Sequence, residues 1–166
     1  MTTVDLGCGS NKRGDVGVDV VALPGVDHVV HLGFEALPFE DESIDKFVAH
    51  DFLEHVPMCV WVERGGKIVR LTPVIYLLNE VWRCLRRGGR FEHATPVFAG
   101  MLPVQEVWQD PTHVSVWTAH TMQYFCGGFG GSRPGGLPAQ YGIKCEFRET
   151  LVTFTDTHMH WAGVKP

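Results

Sequence analysis

The run Val4-Asp5-Leu6 is cut short by Gly7-Cys8-Gly9, and Asp19, in the next β-rich run from Val16 to Val21, comes only fourteen positions after Asp5. A strand ending in a G-x-G turn lets a ligand approach backbone that side chains would otherwise cover. A carboxylate at the end of the following strand can accept both hydroxyls of a ribose. Taken singly, each feature is as ordinary as a tight turn or a solvated acid. Their spacing is more restrictive. A dinucleotide fold needs roughly 20 residues between its first glycines and the ribose acid, because a full helix must turn its N-terminus to the pyrophosphate. SNKRGDVG leaves room for barely a turn of helix. The spacing therefore favours a nucleoside with an amino-acid tail, S-adenosylmethionine (SAM), over a dinucleotide or a nucleotide sugar.

Further β-type runs follow at Val26 to Leu32 and at Ser43 to His50, the latter apolar enough to be buried on both faces. The segment from Val60 to Arg70 reads as a small hairpin around Arg64-Gly65-Gly66. After Thr72-Pro73, apolar residues recur at Val74, Ile75, Leu78, Val81, Trp82 and Leu85, one face of a helix. Thr72 is its expected cap, Arg83, Arg86 and Arg87 lie in or near its last turn, and Gly88-Gly89 is its stop. Arg90 to Thr95 reads as a fifth strand. A Pro-containing loop from Pro96 to His113, a short helix near Thr118 to Phe125 and a glycine-rich, mobile CGGFGGSRPGG are expected next. GIKCEFRETLVTF and HMHWAGVKP are expected to pair antiparallel. Strands alternating with crossovers argue for an α/β fold with a mainly parallel sheet.

Composition narrows the function classes. Nineteen acidic against fourteen basic residues in 166 give a net charge of -5, which makes nucleic acid an improbable partner. The five cysteines are odd in number and form no C-x-x-C pair, so reduced thiols and a cytoplasmic location are expected. No apolar run approaches a membrane span. The length suits a single domain over 1-166.

In order along the chain, VDLGCGSNKRGDVGVD, LPFEDESID, FLEH, LLNEVWRCLRRGGRFEHATP and QDPTHVSVWT resemble the class I SAM-dependent methyltransferases, specifically the small type 11 methyltransferase-like group. The resemblance implies a Rossmann-like fold with a seven-stranded, mainly parallel sheet, an antiparallel C-terminal hairpin and SAM over the C-terminal strand ends. The usual N-terminal helices are expected to be lacking, so that the SAM pocket has an open side, closed by the hairpin insert, by the loop Asp110 to Trp117 or by a homodimer partner. Gly7 and Gly9 would cradle the methionine part, Asp19 the ribose, and the stretch from His31 through Leu37 and Phe39 the adenine, with Asp5 and Cys8 also expected at the cofactor. His31 departs from the resemblance, since relatives often carry Asp there. His50 is expected beside the cofactor at the mouth of the fourth strand.

Three histidines are candidates for catalysis: His50, His55 and His113. An imidazole titrates near neutral pH and suits a general base on a hydroxyl or amine, but Asp110, Thr112 and His113 equally suit a fixed turn. If Asp51 to His55 is one helical turn, Asp51, Glu54 and His55 share a face. That set resembles the acidic-acidic-His metal site of ubiquinone-biosynthesis O-methyltransferases, and Mg²⁺ would suit it. The alternative, which we adopt for the sequence, is that Glu54 and His55 only orient the turn and no metal is held. Trp108 and Trp117 either line an apolar pocket or belong to the core. His93, His120, His158 and His160 lack ligand spacing, and the last two are expected to face solvent.

The function expected is methyl transfer from SAM to O or N of a small-molecule acceptor, the alternative being a non-catalytic SAM-binding module that acts as partner or sensor. HDFLEH replaces the D/N-P-P-Y/F tetrad shared by amino-methylating enzymes of nucleic acids, and no Pro-Cys nucleophile is present.

Overall fold

In the computed structural model, which describes residues 1–97 and 105–166, the apolar runs become a seven-stranded sheet. Its strands are β1 (Thr3–Leu6), β2 (Val16–Asp19), β3 (His28–Val29), β4 (Ile44–His50), β7 (Leu85–Pro96), β8 (Arg148–Phe154) and β9 (His158–Val164). The order is β3-β2-β1-β4-β7-β9-β8, parallel from β3 to β7, with β9 antiparallel to both β7 and β8. The chain leaves β1 toward one edge and β4 toward the other. The crevice between their C-terminal ends is thus a topological switch point, where open α/β sheets bind ligands.

No helix fills the connection from β1 to β2. Side chains strap it down instead. Asp5 Oδ2 accepts from the Arg13 amide at 2.6 Å, Asp15 Oδ2 from the Thr3 amide at 2.7 Å, and Lys12 Nζ reaches Asp27 Oδ2 at 2.9 Å. The third strand is shorter than its apolar run, covering only two of the residues from Val26 to Leu32.

The helix α1 (Pro73–Cys84) forms where the apolar spacing places it and buries Val74, Leu77, Leu78, Val81 and Cys84. Its ends differ from expectation. Thr72 makes no side-chain cap bond, and the helix stops at Cys84, ahead of Gly88-Gly89, because Leu85 already pairs with Ile44 in β7. Lys165 Nζ closes this end by donating to the carbonyls of Trp82 and Leu85 at 2.9 and 2.8 Å. Of the three arginines only Arg83 lies in the last turn. Its guanidinium bonds Glu80, Asp41 and the carbonyls of Leu37 and Phe39, fixing the segment that leads into β4.

Strand alternation assigns the two faces of the sheet different roles. Val4, Leu6, Phe47, Ala49, Phe91 and Trp161 join α1 in the hydrophobic core, with Met122, Phe125 and Phe147 from the C-terminal half. The opposite face carries Lys46, Glu92 and Arg90, joined by ion pairs of 2.8 and 2.5 Å, with His50 and His160 beside them. Ser43 to His50 is therefore not apolar on both faces.

The insert folds as the expected hairpin, β5 (Val60–Arg64) with β6 (Lys67–Leu71), turning at Gly65 and Gly66, both at positive φ. In the C-terminal half stand α2 (Gln105–Trp108), α3 (Ala119–Gln123) and α4 (Leu137–Gln140). Thr118 and Thr121 cap α3 reciprocally. The loop expected from Pro96 to His113 lies outside the described residues over 98–104. The glycine-rich stretch expected to be a mobile loop is a chain of turns, held where the Ser132 amide and hydroxyl donate to Glu146 Oε1 at 2.7 and 2.8 Å. No helix among the described residues is long and apolar enough to cross a membrane.

Candidate functional site

At the switch point the G-x-G turn takes the shape that only glycine adopts cheaply. Gly7 has φ 66°, and a Cβ there would lie 2.2 Å from Phe52 Cδ2, so the Phe52 ring rests directly on the turn. Gly9 has φ 52° with open space where its side chain would be. Its amide donates to Asp19 Oδ2 at 2.9 Å, and Val21 donates to Asp19 Oδ1 at 3.0 Å. Each carboxylate oxygen keeps a second lone pair for a ligand.

A cavity of about 610 Å³ opens here, lined among others by Gly7, Asp19, Leu32, Phe34, Phe52 and His55. Of the residues assigned to the cofactor from sequence, Gly7, Asp19 and His31 reach it, His31 with its Nδ1 3.2 Å from Glu35 Oε2. Others are placed differently. Asp5 is buried behind the turn and holds Arg13, and burial pushes its carboxyl above the usual range. Cys8 is buried, and Gly9 stands beside the lining, holding Asp19. Leu37 is in the core, its amide bonded to Glu80, and Phe39 packs edge-on against His28 and Phe47. The apolar wall is made instead by Leu32 and Phe34, in the same stretch but each five residues ahead of Leu37 and Phe39, and by Phe52. Phe34 is exposed beside Gly33 (φ 90°), which was the available signal of a sharp turn into the pocket.

His50 is a correction. Its side chain faces the charged side of the sheet, in a small depression with Arg90, Glu92 and His160, and lines neither large cavity. Burial and nearby Arg13 hold its imidazole below the usual range.

A second cavity, of about 480 Å³, adjoins the first and shares Asp51 and His55 with it. Its lining includes Asp51, Glu54, His55, Asp110, His113 and His158. The helical turn expected from Asp51 to His55 is only the 3-10 turn Leu53–His55, and Asp51 sits ahead of it in the left-handed region at φ 49°. Asp51 is engaged instead by the C-terminal hairpin, its Oδ1 2.8 Å from His158 Nε2. His158, expected to face solvent, is thus part of the cavity wall.

Glu54 is 2% exposed, its carboxylate oxygens have no hydrogen-bond partner among the described residues, and desolvation pushes its pKa up to about 7. Its carbonyl accepts from the amides of Val114 and Ser115, docking the loop that carries His113. The Ser115 hydroxyl donates to the Leu53 carbonyl at 3.0 Å and accepts from Trp117 Nε1 at 3.1 Å. Trp117 is therefore core, and Trp108 is half exposed outside both cavities. His113 is nearly buried, with Nδ1 2.6 Å from the Val107 carbonyl and Nε2 3.9 Å from Glu54 Oε1. His93 lies wholly in the core, against Trp161, Trp117 and Phe91.

No family model and no curated protein matches the sequence. Solved structures match its fold over almost the whole chain. A putative methyltransferase of Haloferax volcanii, solved in complex with a methyltransferase activator, is 16% identical, with 99% of this chain and 82% of that one covered at a TM-score of 0.56. A SAM-dependent methyltransferase from Archaeoglobus fulgidus is 11% identical, over 98% and 85% of the two chains, with a TM-score of 0.59. Geranyl diphosphate C-methyltransferase from Streptomyces coelicolor A3(2), in complex with Mg²⁺, geranyl-S-thiolodiphosphate and S-adenosylhomocysteine, is 12% identical, over 100% and 70%, with a TM-score of 0.61. At such identities the likeness is one of fold, and the fold is that of the class I methyltransferases.

Proposed function

We propose that the chain binds SAM in the cavity at the switch point and transfers its methyl group to an oxygen or nitrogen of a small-molecule acceptor in the adjoining cavity. The observation that carries this reading is the junction of the two cavities at Asp51 and His55. A cofactor whose ribose hydroxyls bond Asp19 and whose adenine lies against Leu32 and Phe34 would direct its methionine end toward Gly7 and Phe52, near that junction.

Methyl transfer is an in-line displacement at an activated sulfonium. The acceptor lone pair forms the bond to carbon, the carbon–sulfur bond breaks, and S-adenosylhomocysteine leaves with the electron pair. The protein has to align the partners, exclude water and receive the acceptor's proton. Basic groups for that proton stand in the second cavity, and its carboxylates suit a neutral or cationic acceptor better than an anionic one.

Calorimetry with SAM and S-adenosylhomocysteine tests the cofactor, and release of S-adenosylhomocysteine across a panel of small hydroxyl and amine acceptors tests the transfer. Absence of SAM binding would overturn the reading entirely; binding with no turnover on any acceptor would leave only a binding module.

A further inference from the structure

We propose that Glu54, His55 and His113 form a binding site for a divalent transition-metal ion of the zinc class. One donor atom from each lies within 4.8 Å of the others. This set differs from Asp51, Glu54 and His55, which sequence spacing would group: Asp51 is engaged by His158, and His113 arrives from a loop nearly 60 residues away.

The hydrogen bonds around the two imidazoles prepare each as a ligand. Val107 offers His113 a carbonyl, which only accepts, so Nδ1 carries the proton and Nε2 presents its lone pair on the side of Glu54. His55 is held through Thr112. The Thr112 hydroxyl lies 2.6 Å from Asp110 Oδ1 and 3.0 Å from His55 Nδ1. Its single proton goes to the carboxylate, so it accepts from His55 Nδ1–H and leaves Nε2 free. Metal-binding histidines are commonly held in this way, the distal N–H tied to a carbonyl or, directly or through a relay, to a carboxylate. The chain Asp110–Thr112–His55 and the bond His113–Val107 supply both forms.

Glu54 gives an independent indication. A carboxylate 2% exposed, with neither oxygen hydrogen-bonded among the described residues, is costly to keep, and such groups in a folded protein are ordinarily paired or metal-bound. Glu54, His55 and His113 line the same cavity. Asp51 and Asp110 stand around it and add to the negative potential that favours a cation.

Two imidazoles and one carboxylate, with room for water at a fourth position, suit Zn²⁺ or a neighbouring first-row ion; Mg²⁺ prefers oxygen ligands throughout. Ligand atoms about 2.0 to 2.1 Å from zinc lie about 3.3 Å from one another, so the 3.9 Å between Glu54 Oε1 and His113 Nε2 closes with a small side-chain rotation. The fourth position faces the acceptor cavity. Resting on the methyltransferase reading, an acceptor hydroxyl bound there would be acidified by the ion, so that its proton passes more readily to a base in the cavity or to solvent.

The test uses the full chain, stripped with chelator, kept reduced, and titrated with Zn²⁺ and separately with Mg²⁺ in the absence of SAM. One equivalent of Zn²⁺ is expected to bind, with Mg²⁺ at least tenfold weaker. His113→Ala, His55→Ala and Glu54→Gln should each weaken Zn²⁺ at least tenfold, and Cys59→Ser should change nothing. Glu54→Gln keeps the shape of the side chain without its charge, and its far-ultraviolet spectrum and melting curve check that the fold is retained. Co²⁺ in place of Zn²⁺ should give the visible bands of a four-coordinate nitrogen–oxygen site, lost in His113→Ala. Failure to bind one equivalent, or Zn²⁺ affinity unchanged in all three variants, would overturn the site. Calorimetry with SAM on the same samples separates this result from the cofactor assignment, since neither titration depends on the other.

Discussion

The carboxylate of Asp19 and the amide of Gly9 are 2.9 Å apart, so the end of β2 holds the glycine turn that follows β1. Asp19 therefore both shapes the turn and faces the cavity. Asp19→Ala should weaken SAM binding by ~1 to 3 kcal/mol, about five- to 150-fold. Asp19→Asn still accepts from Gly9 and should lie between wild type and the alanine variant; calorimetry showing equal affinity for all three removes Asp19 from the cofactor site.

Gly7 and Gly9 both have positive φ, but only Gly7 is covered, by Phe52. Gly9→Ala should cost only the left-handed penalty of ~1 to 2 kcal/mol. Gly7→Ala adds a steric clash and should cost more by at least ~1 kcal/mol, an excess that Phe52→Ala in the same chain removes. Urea midpoints of these three variants, and of Phe52→Ala alone as the reference for the double change, measure this directly.

His50 and His55 separate cleanly. The first lies on the charged face of the sheet and the second at the junction of the cavities. His50→Ala should leave SAM affinity and turnover within about twofold, whereas His55→Ala should lower turnover ~10²-fold or more. Steady-state rates with any accepted substrate decide, and a large loss in His50→Ala would contradict the placement.

His93 is buried among aromatic rings with neither nitrogen bonded among the described residues, and burial lowers its pKa to about 3. The unfolded chain binds this proton at a higher pH than the folded one. The stabilising contribution is therefore complete above about pH 6.5 and is lost as pH falls toward 3. His93→Phe removes that dependence. Between pH 7.5 and 4.5 the wild type should lose roughly 2 to 3 kcal/mol more than His93→Phe in urea unfolding. Equal losses would show that His93 does not titrate in the way its burial implies.

Much of this architecture is legible in local sequence. The strand runs, the apolar face of α1, the Gly65-Gly66 hairpin and the G-x-G turn with Asp19 each depend on residues close together, where periodicity and turn chemistry act. What is illegible depends on distant partners. Asp51 leaves the expected helical face because β9 brings His158 to it, 107 residues later. His50 has the right position in sequence and the wrong face, since strand alternation sets direction only once the register with β7 is known. Leu37 and Phe39 are drawn into the core by Glu80, Arg83 and Phe47, leaving Leu32 and Phe34 to wall the cavity.

The hold of Lys165 on the carbonyls of Trp82 and Leu85 has a kinetic consequence. A helix end whose partner lies 80 residues away cannot be completed while only local contacts have formed. Such long-range closure raises contact order and is expected to form after the folding barrier has been crossed. Lys165→Met should therefore speed unfolding and leave the refolding rate nearly unchanged in stopped-flow fluorescence, whereas slower refolding would place the clasp in the nucleus. The ammonium of Lys165 then governs how long the native state lasts more than how fast it is reached.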